Sequence, residues 1–383
     1  MKKIISILGS TGSIGLSSLT ILEKKKNFFK INYLFANRNF KLICEQINKF
    51  KPKIFIIKDK IVFEKVKKKY KNKKIKILNN FNFKVLDKND ITISAIPGLA
   101  GLEPTILASK ITKKILLANK ESIICGWSLI KDSAKKFNTK IIPVDSEHYS
   151  IFNLLEKEQV KSIKKIFITA SGGPFLKHSN KQLKLIKPKD ALKHPKWKMG
   201  KKISIDSSTL MNKIFEIAEA EKLFDIPNNK LEILIHPESL VHAIIEFNNG
   251  LKKFIYHDTT MIIPLANAIF ENNLHIKDFV KIKFKENIKN LSFESVNDIN
   301  FPLIKIKKKI NQYPSSSIIY NAANEVLVDL FLRKKVPFLS ISKTILKIHK
   351  DSNYLKYAIK RPKNIKEILK IDNWARKLIK KKI

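Results

Sequence analysis

Acidic side chains give the first chemical suggestion. In the stretch PVDSEH, Asp145 and Glu147 stand two residues apart. On a strand that spacing puts both carboxylates on one face. In STLMNKIFEIAEAE, Glu216 could complete a three-carboxylate set, with Glu219 one helical turn on and on the same face. Hard divalent cations such as Mg2+ or Mn2+ take oxygen donors of this kind. A plainer arrangement is equally consistent with the pattern: Asp145 caps a helix beginning at Ser146, and Glu147 is solvated.

Other residues suit anions. GSTGSIG, Gly9 to Gly15, follows an apolar run and opens a helical pattern, with Thr11 and Ser13 beside the central Gly12. Such a turn lets a pyrophosphate approach the backbone, and the helix start supplies N–H groups and a positive dipole end. The next apolar run ends FANRNF, with no acid to hold a ribose 2′-hydroxyl. Arg38, between Asn37 and Asn39, would meet a 2′-phosphate, which favours NADP over NAD. ANKES places Asn119, Lys120 and Glu121 at another strand end, where they would face the nicotinamide. TASGGPF puts Ser171 in a second glycine turn. SIDSSTLMNK places Ser207 near a helix start, with Asn212 and Lys213 one turn further, a hydroxyl, amide and ammonium suited to a phosphate monoester. In LKHPKWKMGKKIS, Trp197 stands among lysines with little to pack on and reads as a lid over a ligand, the plainer alternative being cover for a core edge.

These groups need a scaffold. Residues 1–145 alternate short apolar strands (KIISILG, INYLFAN, KIFIIKD, DITISAIPG, KKILLANKE, KIIPVDSE) with helical stretches, the pattern of a parallel sheet covered on both faces. Residues 146–272 read as a second, α+β domain, with strands in KKIFITAS, LEILIHPES, HAIIEFNNG and KKFIYHD, the helix STLMNKIFEIAEAEKLF, and a flap over 192–202. Residues 273–305 read as a lysine-rich linker and 306–383 as a C-terminal helical domain. Glycine is scarce, 10 in 383 residues, against about 7% in average usage, so those remaining are expected where the backbone needs them.

Composition narrows the class. Hydrophobic content of 44% can fill a sizeable core. The net charge of +43, from 76 Lys+Arg against 33 Asp+Glu, comes from lysines spread along the whole chain. That dispersal reads as compositional drift rather than a nucleic-acid surface, although anionic substrates would gain from the field. Two distant cysteines, Cys44 and Cys125, fit a reducing compartment. No apolar run is long enough to span a bilayer, and the first one ends too soon for a signal peptide. The expected location is cytoplasmic, with no membrane or nucleic-acid partner.

In order, GSTGSIG, LLANKES, PVDSEH, SGGPF, HPKWKMGKKISIDSSTLMNK, LIHPES and NAANE together resemble the 1-deoxy-D-xylulose 5-phosphate reductoisomerase family, NADPH enzymes of the non-mevalonate isoprenoid pathway. The resemblance implies a Rossmann-type domain, a catalytic domain and a C-terminal helical bundle, in a homodimer. It implies that Thr11, Gly12, Ser13 and Ile14 bind NADPH, with Asn37, Arg38 and Asn39 near the 2′-phosphate and Asn119, Glu121 and Gly200 on the cofactor. Asp145, Glu147 and Glu216 would hold Mg2+ or Mn2+. Ser146, Ser171, His194, Ser207, Asn212 and Lys213, with Glu147 and Glu216, would hold the substrate. Lys120 would lie beside the reacting carbons, and Lys120 and Glu147 would move protons. Trp197 and Met199 would belong to the flap, and His148 would stand behind the ligands or on the substrate side, not on the metal. The implied chemistry is skeletal rearrangement, by retro-aldol cleavage and re-addition, then hydride transfer. The chain departs from the family pattern at Asn37, commonly glycine, at Ile214 after Lys213, where glycine is usual, and at Ile262, usually arginine. The rivals are an NADP-dependent dehydrogenase of another phosphorylated substrate without isomerisation and, remotely, a basic nucleic-acid-binding protein.

Overall fold

The structure, a computed structural model, describes residues 2–81, 87–197, 199–281 and 290–383. Lys198 of the expected flap and residues 282–289 of the expected linker lie outside the described residues. The chain divides into two compact units: Met1–Ser122 with Gly126–Asp145 and Met261–Ile282, and Ile123–Cys125 with Ser146–Thr260 and Lys283–Ile383.

The first unit is built on a seven-stranded sheet: β1 (Lys3–Leu8), β2 (Phe29–Ala36), β3 (Ile54–Ile57), β4 (Lys76–Leu78), β5 (Asn89–Ser94), β6 (Thr112–Leu117) and β7 (Lys140–Pro143). Their order is β4-β3-β2-β1-β5-β6-β7, and every pairing is parallel. Continuous isoleucine and leucine runs dictate this, because a parallel sheet covered by helices buries both faces of each strand. All four residues of β3 are buried, as are the last four of β1. Strand order reverses at β1, between β2 and β5, and there the glycine turn leaves the sheet. The covering helices follow from local signals. Phe40–Phe50 buries Ile43, Cys44, Gln46 and Ile47 on one face and is capped by Asn39, whose side chain accepts from the Leu42 N–H.

The expected boundary at 272 is displaced, because the helix Ile262–Phe270 packs within the first unit. There the buried Lys114 ammonium donates to the Ala268 carbonyl at 3.0 Å and to Glu271 at 2.7 Å. A buried ammonium needs such partners.

The second unit holds a mixed five-stranded sheet, β11-β10-β8-β9-β12, from β8 (Ile163–Ala170), β9 (Leu231–Ile235), β10 (Val241–Phe247), β11 (Lys252–Tyr256) and β12 (Glu294–Ser295). Among the described residues of this sheet, only β8 and β9 are parallel neighbours. Strand β12 falls inside the expected linker, where its pairing with β9 makes it part of the sheet. The helices Ser316–Leu332, Phe338–Lys347, Tyr354–Ala358 and Ile365–Lys382 belong to this same unit. Arg376 ties the last of them to Glu325 and bonds Asp372 within its own helix. Cys44 and Cys125 are both buried thiols. No helix among the described residues is long and apolar enough to cross a membrane.

One helical expectation changes. STLMNKIFEIAEAEKLF is not a single helix: Lys201–Ser208 ends at Thr209, and Met211–Phe224 begins after Leu210. Leu210 is buried in the left-handed region, φ 65°, a conformation that costs a branched residue and persists only where packing dictates it. Ser207 therefore lies at the end of one helix, not near its start, and Asn212 and Lys213 open the next.

Candidate active site

In the first unit the site is made mainly of backbone. Gly9 has φ +88°, and a Cβ there would fall 2.6 Å from the Ala95 carbonyl oxygen. A Cβ on Gly15 would collide with Gly9 and Ser10 backbone. The N–H groups of Gly9 and Ser10 both donate to the Phe35 carbonyl at 2.9 Å. No side chain caps the helix Ser13–Lys24, whose first residues carry the positive dipole end. Tight turn and uncapped helix start fit a pyrophosphate, with Thr11, Gly12, Ser13 and Ile14 around it. Gln46, missed in the sequence, braces the turn: Ser10 Oγ donates to its Oε1 at 2.7 Å, and its Nε2 donates back to the Ser10 carbonyl at 2.9 Å. A lone amide on the buried face of an amphipathic helix was the available signal.

Asn37, Arg38 and Asn39 are exposed beyond β2, open to a 2′-phosphate. Asn119 has a structural task. Its Oδ1 accepts from the Ser122 N–H at 2.5 Å as cap of the helix Lys120–Phe137, and its Nδ2 donates to the carbonyls of Ile96 and Gly98. Lys120 and Glu121 form the first turn of that helix.

In the second unit the site is made of side chains. The helix Ser146–Leu154 starts three residues after β7 ends, so Asp145 and Glu147 do not share a strand face. At 100° per residue, positions two apart in a helical turn diverge while positions three apart converge. Asp145 accordingly offers a carboxylate oxygen within 4.8 Å of ligand atoms on His148 and Glu219. His148 and Glu219 are fully buried, with Nδ1 3.8 Å from Oε2, and His148 Nε2 lies 2.9 Å from the Glu216 carbonyl oxygen. Glu147 turns to Lys213, whose ammonium donates to it at 2.5 Å and to Glu216 at 2.8 Å. Ser146 Oγ donates to Glu147 at 2.7 Å and Asn212 to Glu216 at 2.5 Å. Four carboxylates, one imidazole and one ammonium thus come from Asp145 and two helices, Ser146–Leu154 and Met211–Phe224, a donor set that fits a hard divalent cation.

His194 is held by its neighbours. Its Nδ1 accepts from the N–H groups of Lys196 and Trp197 at 3.2 and 2.9 Å, which leaves Nε2 to donate to Ser171 Oγ at 3.0 Å. Burial, with Lys213 nearby, pushes its pKa down to about 4, so the imidazole is neutral at pH 7. Ser171 Oγ also accepts from the Gly173 N–H at 3.1 Å. Gly173, φ +64°, lets this turn sit against the backbone of Ser207 and Ser208. Ser171, His194 and Ser207 thereby converge. Trp197 is half-buried, edge-on to His242 at 5.9 Å, and His242 stacks on His257 at 4.0 Å. Neither histidine stood out in the sequence, because each sits in an ordinary strand pattern. Met199, two positions on from Trp197, is half-buried. Gly200 has φ −63° and open space where a Cβ would be, so this backbone does not demand glycine there. Ile214 and Phe215 fill the core, Asn37 is at the surface, and Ile262 opens a first-unit helix.

Three family models match the chain: 1-deoxy-D-xylulose 5-phosphate reductoisomerase over residues 5–126, its C-terminal domain over 141–224, and DXP reductoisomerase C-terminal domain over 258–378. The 1-deoxy-D-xylulose 5-phosphate reductoisomerase of Pelagibacter ubique is 46% identical over 381 residues, covering 98% of each chain. That of Thermodesulfovibrio yellowstonii is 40% identical over 386 residues, covering 100% of each. Among solved structures, the Zymomonas mobilis enzyme in complex with NADPH superposes with TM-score 0.89 at 30% identity, covering 99% of this chain and 98% of that one. A DOX-P reductoisomerase in complex with NADPH, fosmidomycin and magnesium gives 0.90 at 30% identity with the same coverage.

A parallel nucleotide-binding sheet and a carboxylate-rich mixed-sheet domain define a dinucleotide-dependent oxidoreductase that uses a metal. The chain belongs to the 1-deoxy-D-xylulose 5-phosphate reductoisomerase family, NADPH-dependent oxidoreductases of the non-mevalonate isoprenoid pathway.

Proposed function

We propose that this chain converts 1-deoxy-D-xylulose 5-phosphate, NADPH and a proton to 2-C-methyl-D-erythritol 4-phosphate and NADP+, the first unit taking the dinucleotide and the second the sugar phosphate. The observation that carries this reading is the buried Glu147–Lys213–Glu216 array beside the Ser171–His194 pair, in a chain that also has an uncapped helix behind a glycine turn. When bound, NADPH supplies the hydride and Mg2+ or Mn2+ the Lewis acidity that the skeletal rearrangement needs.

The chain's own residues have the following tasks. Ser171, Ser207, Asn212 and Lys213 grip the phosphate, and the neutral His194 donates into that grip. Ser146 orients the sugar. Glu147, which already accepts from a hydroxyl and an ammonium, holds or releases a proton at the substrate hydroxyls, and Lys120 is the second proton carrier. Trp197 and Met199 exclude water. Thr11, Gly12, Ser13 and Ile14 hold the pyrophosphate, and Asn37, Arg38 and Asn39 the 2′-phosphate. Asn119 shapes the loop beneath the cofactor, and Glu121 and Gly200 border it.

Asp145, Glu147 and Glu216 would hold the cation. The closeness of Asp145 to His148 and Glu219 favours a second ligand set that shares Asp145. Manganese titration of the full chain separates them. Weaker binding in Glu147→Gln and Glu216→Gln supports the first set, and loss confined to His148→Asn and Glu219→Gln supports the second. The activity is tested by NADPH absorbance with the sugar phosphate, with and without Mn2+; no metal-dependent oxidation would overturn the reading. Family resemblance further supports a cytoplasmic homodimer; a sedimentation mass of one chain, 44.2 kDa, would refute the dimer.

A further inference from the structure

The NAANE motif, Asn321 to Glu325, lies far from the proposed chemistry in sequence and carries no role in it. In the fold it sits on the helix Ser316–Leu332, with Asn321 and Asn324 fully buried. Asn324 Nδ2 donates to Asp206 Oδ1 at 2.7 Å. The other oxygen of Asp206 accepts from the Lys202 ammonium at 2.9 Å, one turn back on the same helix. Asp206 is 2% exposed. A buried carboxylate is costly without partners and well fixed with them.

Asp206 immediately precedes Ser207. The helix that carries both, Lys201–Ser208, begins where the Trp197 segment ends and stops just before the strained Leu210. The glycine turn of Ser171 rests on the backbone of Ser207 and Ser208, where a Cβ on Gly173 would come within 3.0 Å of the Ser207 carbonyl oxygen. Ser207 is therefore fixed from one side by that turn and from the other by the helix Ser316–Leu332, which reaches its neighbour Asp206 through Asn324.

The geometry points to Asn324 and Asp206 as positioning residues for the phosphate grip. The C-terminal helices set where Ser207 stands, and through it the fit of the substrate's phosphate. This rests on the reading that Ser207 and Ser171 bind that phosphate. Neither residue touches substrate; both act through the helix.

The test uses the full chain, with two readouts: KM for each substrate and the dissociation constant of inorganic phosphate by calorimetry. Asn324→Asp sets a carboxylate against a carboxylate, and displacement of the helix should raise KM for the sugar phosphate and weaken inorganic phosphate by about tenfold or more, with KM for NADPH unchanged. The exchange D206N/N324D swaps donor and acceptor, keeps an oxygen for Lys202, and should restore most of both. N321A perturbs the same helix without touching Asp206, so it should lower the melting temperature and leave phosphate affinity alone. Where Asn324→Asp melts below the assay temperature, Asn324→Ser removes the long donor more gently. Unchanged KM and phosphate affinity in the folded variants, equal losses in N321A, or a folded exchange that restores nothing would each overturn the inference. A wild-type chain without turnover whose phosphate affinity still follows the exchange would refute the proposed function and keep the inference.

Discussion

The two units build their sites from different materials. The first uses backbone: a glycine at φ +88°, a helix start without a side-chain cap, and a turn whose walls are carbonyl oxygens. The second uses side chains drawn from positions 146 to 216: carboxylates, an ammonium, an amide and a hydroxyl bonded to one another, with an imidazole on the Glu216 carbonyl. A backbone site tolerates almost any side chain that fits around it but no Cβ where the chain must come close. A side-chain site tolerates backbone adjustment but no change of charge. The two should therefore fail in different ways.

The largest separation is expected from charge. Glu147→Gln should lower kcat/KM by roughly 10³ or more, since it removes both a ligand and a proton carrier. NADPH binding, followed by fluorescence, should stay as it was. A parallel loss of NADPH affinity would show that the two sites are not separable. Gly15→Ala is the converse experiment. Its Cβ has backbone on the far side, and overpacking of this kind costs about 1–3 kcal/mol, so NADPH affinity should fall by roughly tenfold to a hundredfold. Manganese affinity should not change.

Arg38→Ala sharpens the comparison within the first unit. It should weaken NADPH by about tenfold and leave NADH where it was, as measured by paired titrations. Equal weakening of both would place Arg38 away from the 2′-phosphate.

The smallest effect is a pH dependence in the second unit. The folded pKa of His194, about 4, lies below its ordinary 6.5 because burial disfavours the imidazolium. Between those values the unfolded chain binds more protons than the folded one, so the contribution is fully present above pH 6.5 and is lost as pH falls toward 4. His242, pushed down to about 3 by burial and by His257, acts in the same direction. Melting temperature should fall over that window, and His194→Gln should make the fall shallower by a few degrees. An identical pH profile in His194→Gln would show that folding leaves the His194 pKa at its ordinary value.

The contrast also explains what was readable in advance. The parallel sheet, the order of its strands along the chain and the glycine turn follow from apolar runs and glycine positions, which are local properties of sequence. So does the amphipathic character of the C-terminal helices. The glycine rule failed at Gly200, where the backbone conformation is ordinary and no neighbour crowds it. Side-chain sites were only half legible. The residue types suit a cation and a phosphate, but the pattern left Asp145 and Glu147 equally open to one strand face or to a helix beginning at Ser146. A helix starts between them and turns Glu147 toward Lys213, and Asp145 toward His148 and Glu219. The left-handed Leu210, which delays the expected helix to Met211 and parts it from the helix Lys201–Ser208, carries no glycine to announce it.

By itself, then, the sequence determined six of the seven strands of the first unit's sheet, all but the short β4, together with the glycine turn and the inventory of reactive groups, because periodicity and backbone freedom are written residue by residue. Only the tertiary structure decided that Glu147 and Glu216 share the Lys213 ammonium, that β12 and the C-terminal helices join the mixed sheet in one unit, and that Asn324 reaches Asp206 across 118 positions of chain. Those outcomes depend on which faces are buried against each other. Burial is a sum over distant residues, and no single stretch of the chain contains it.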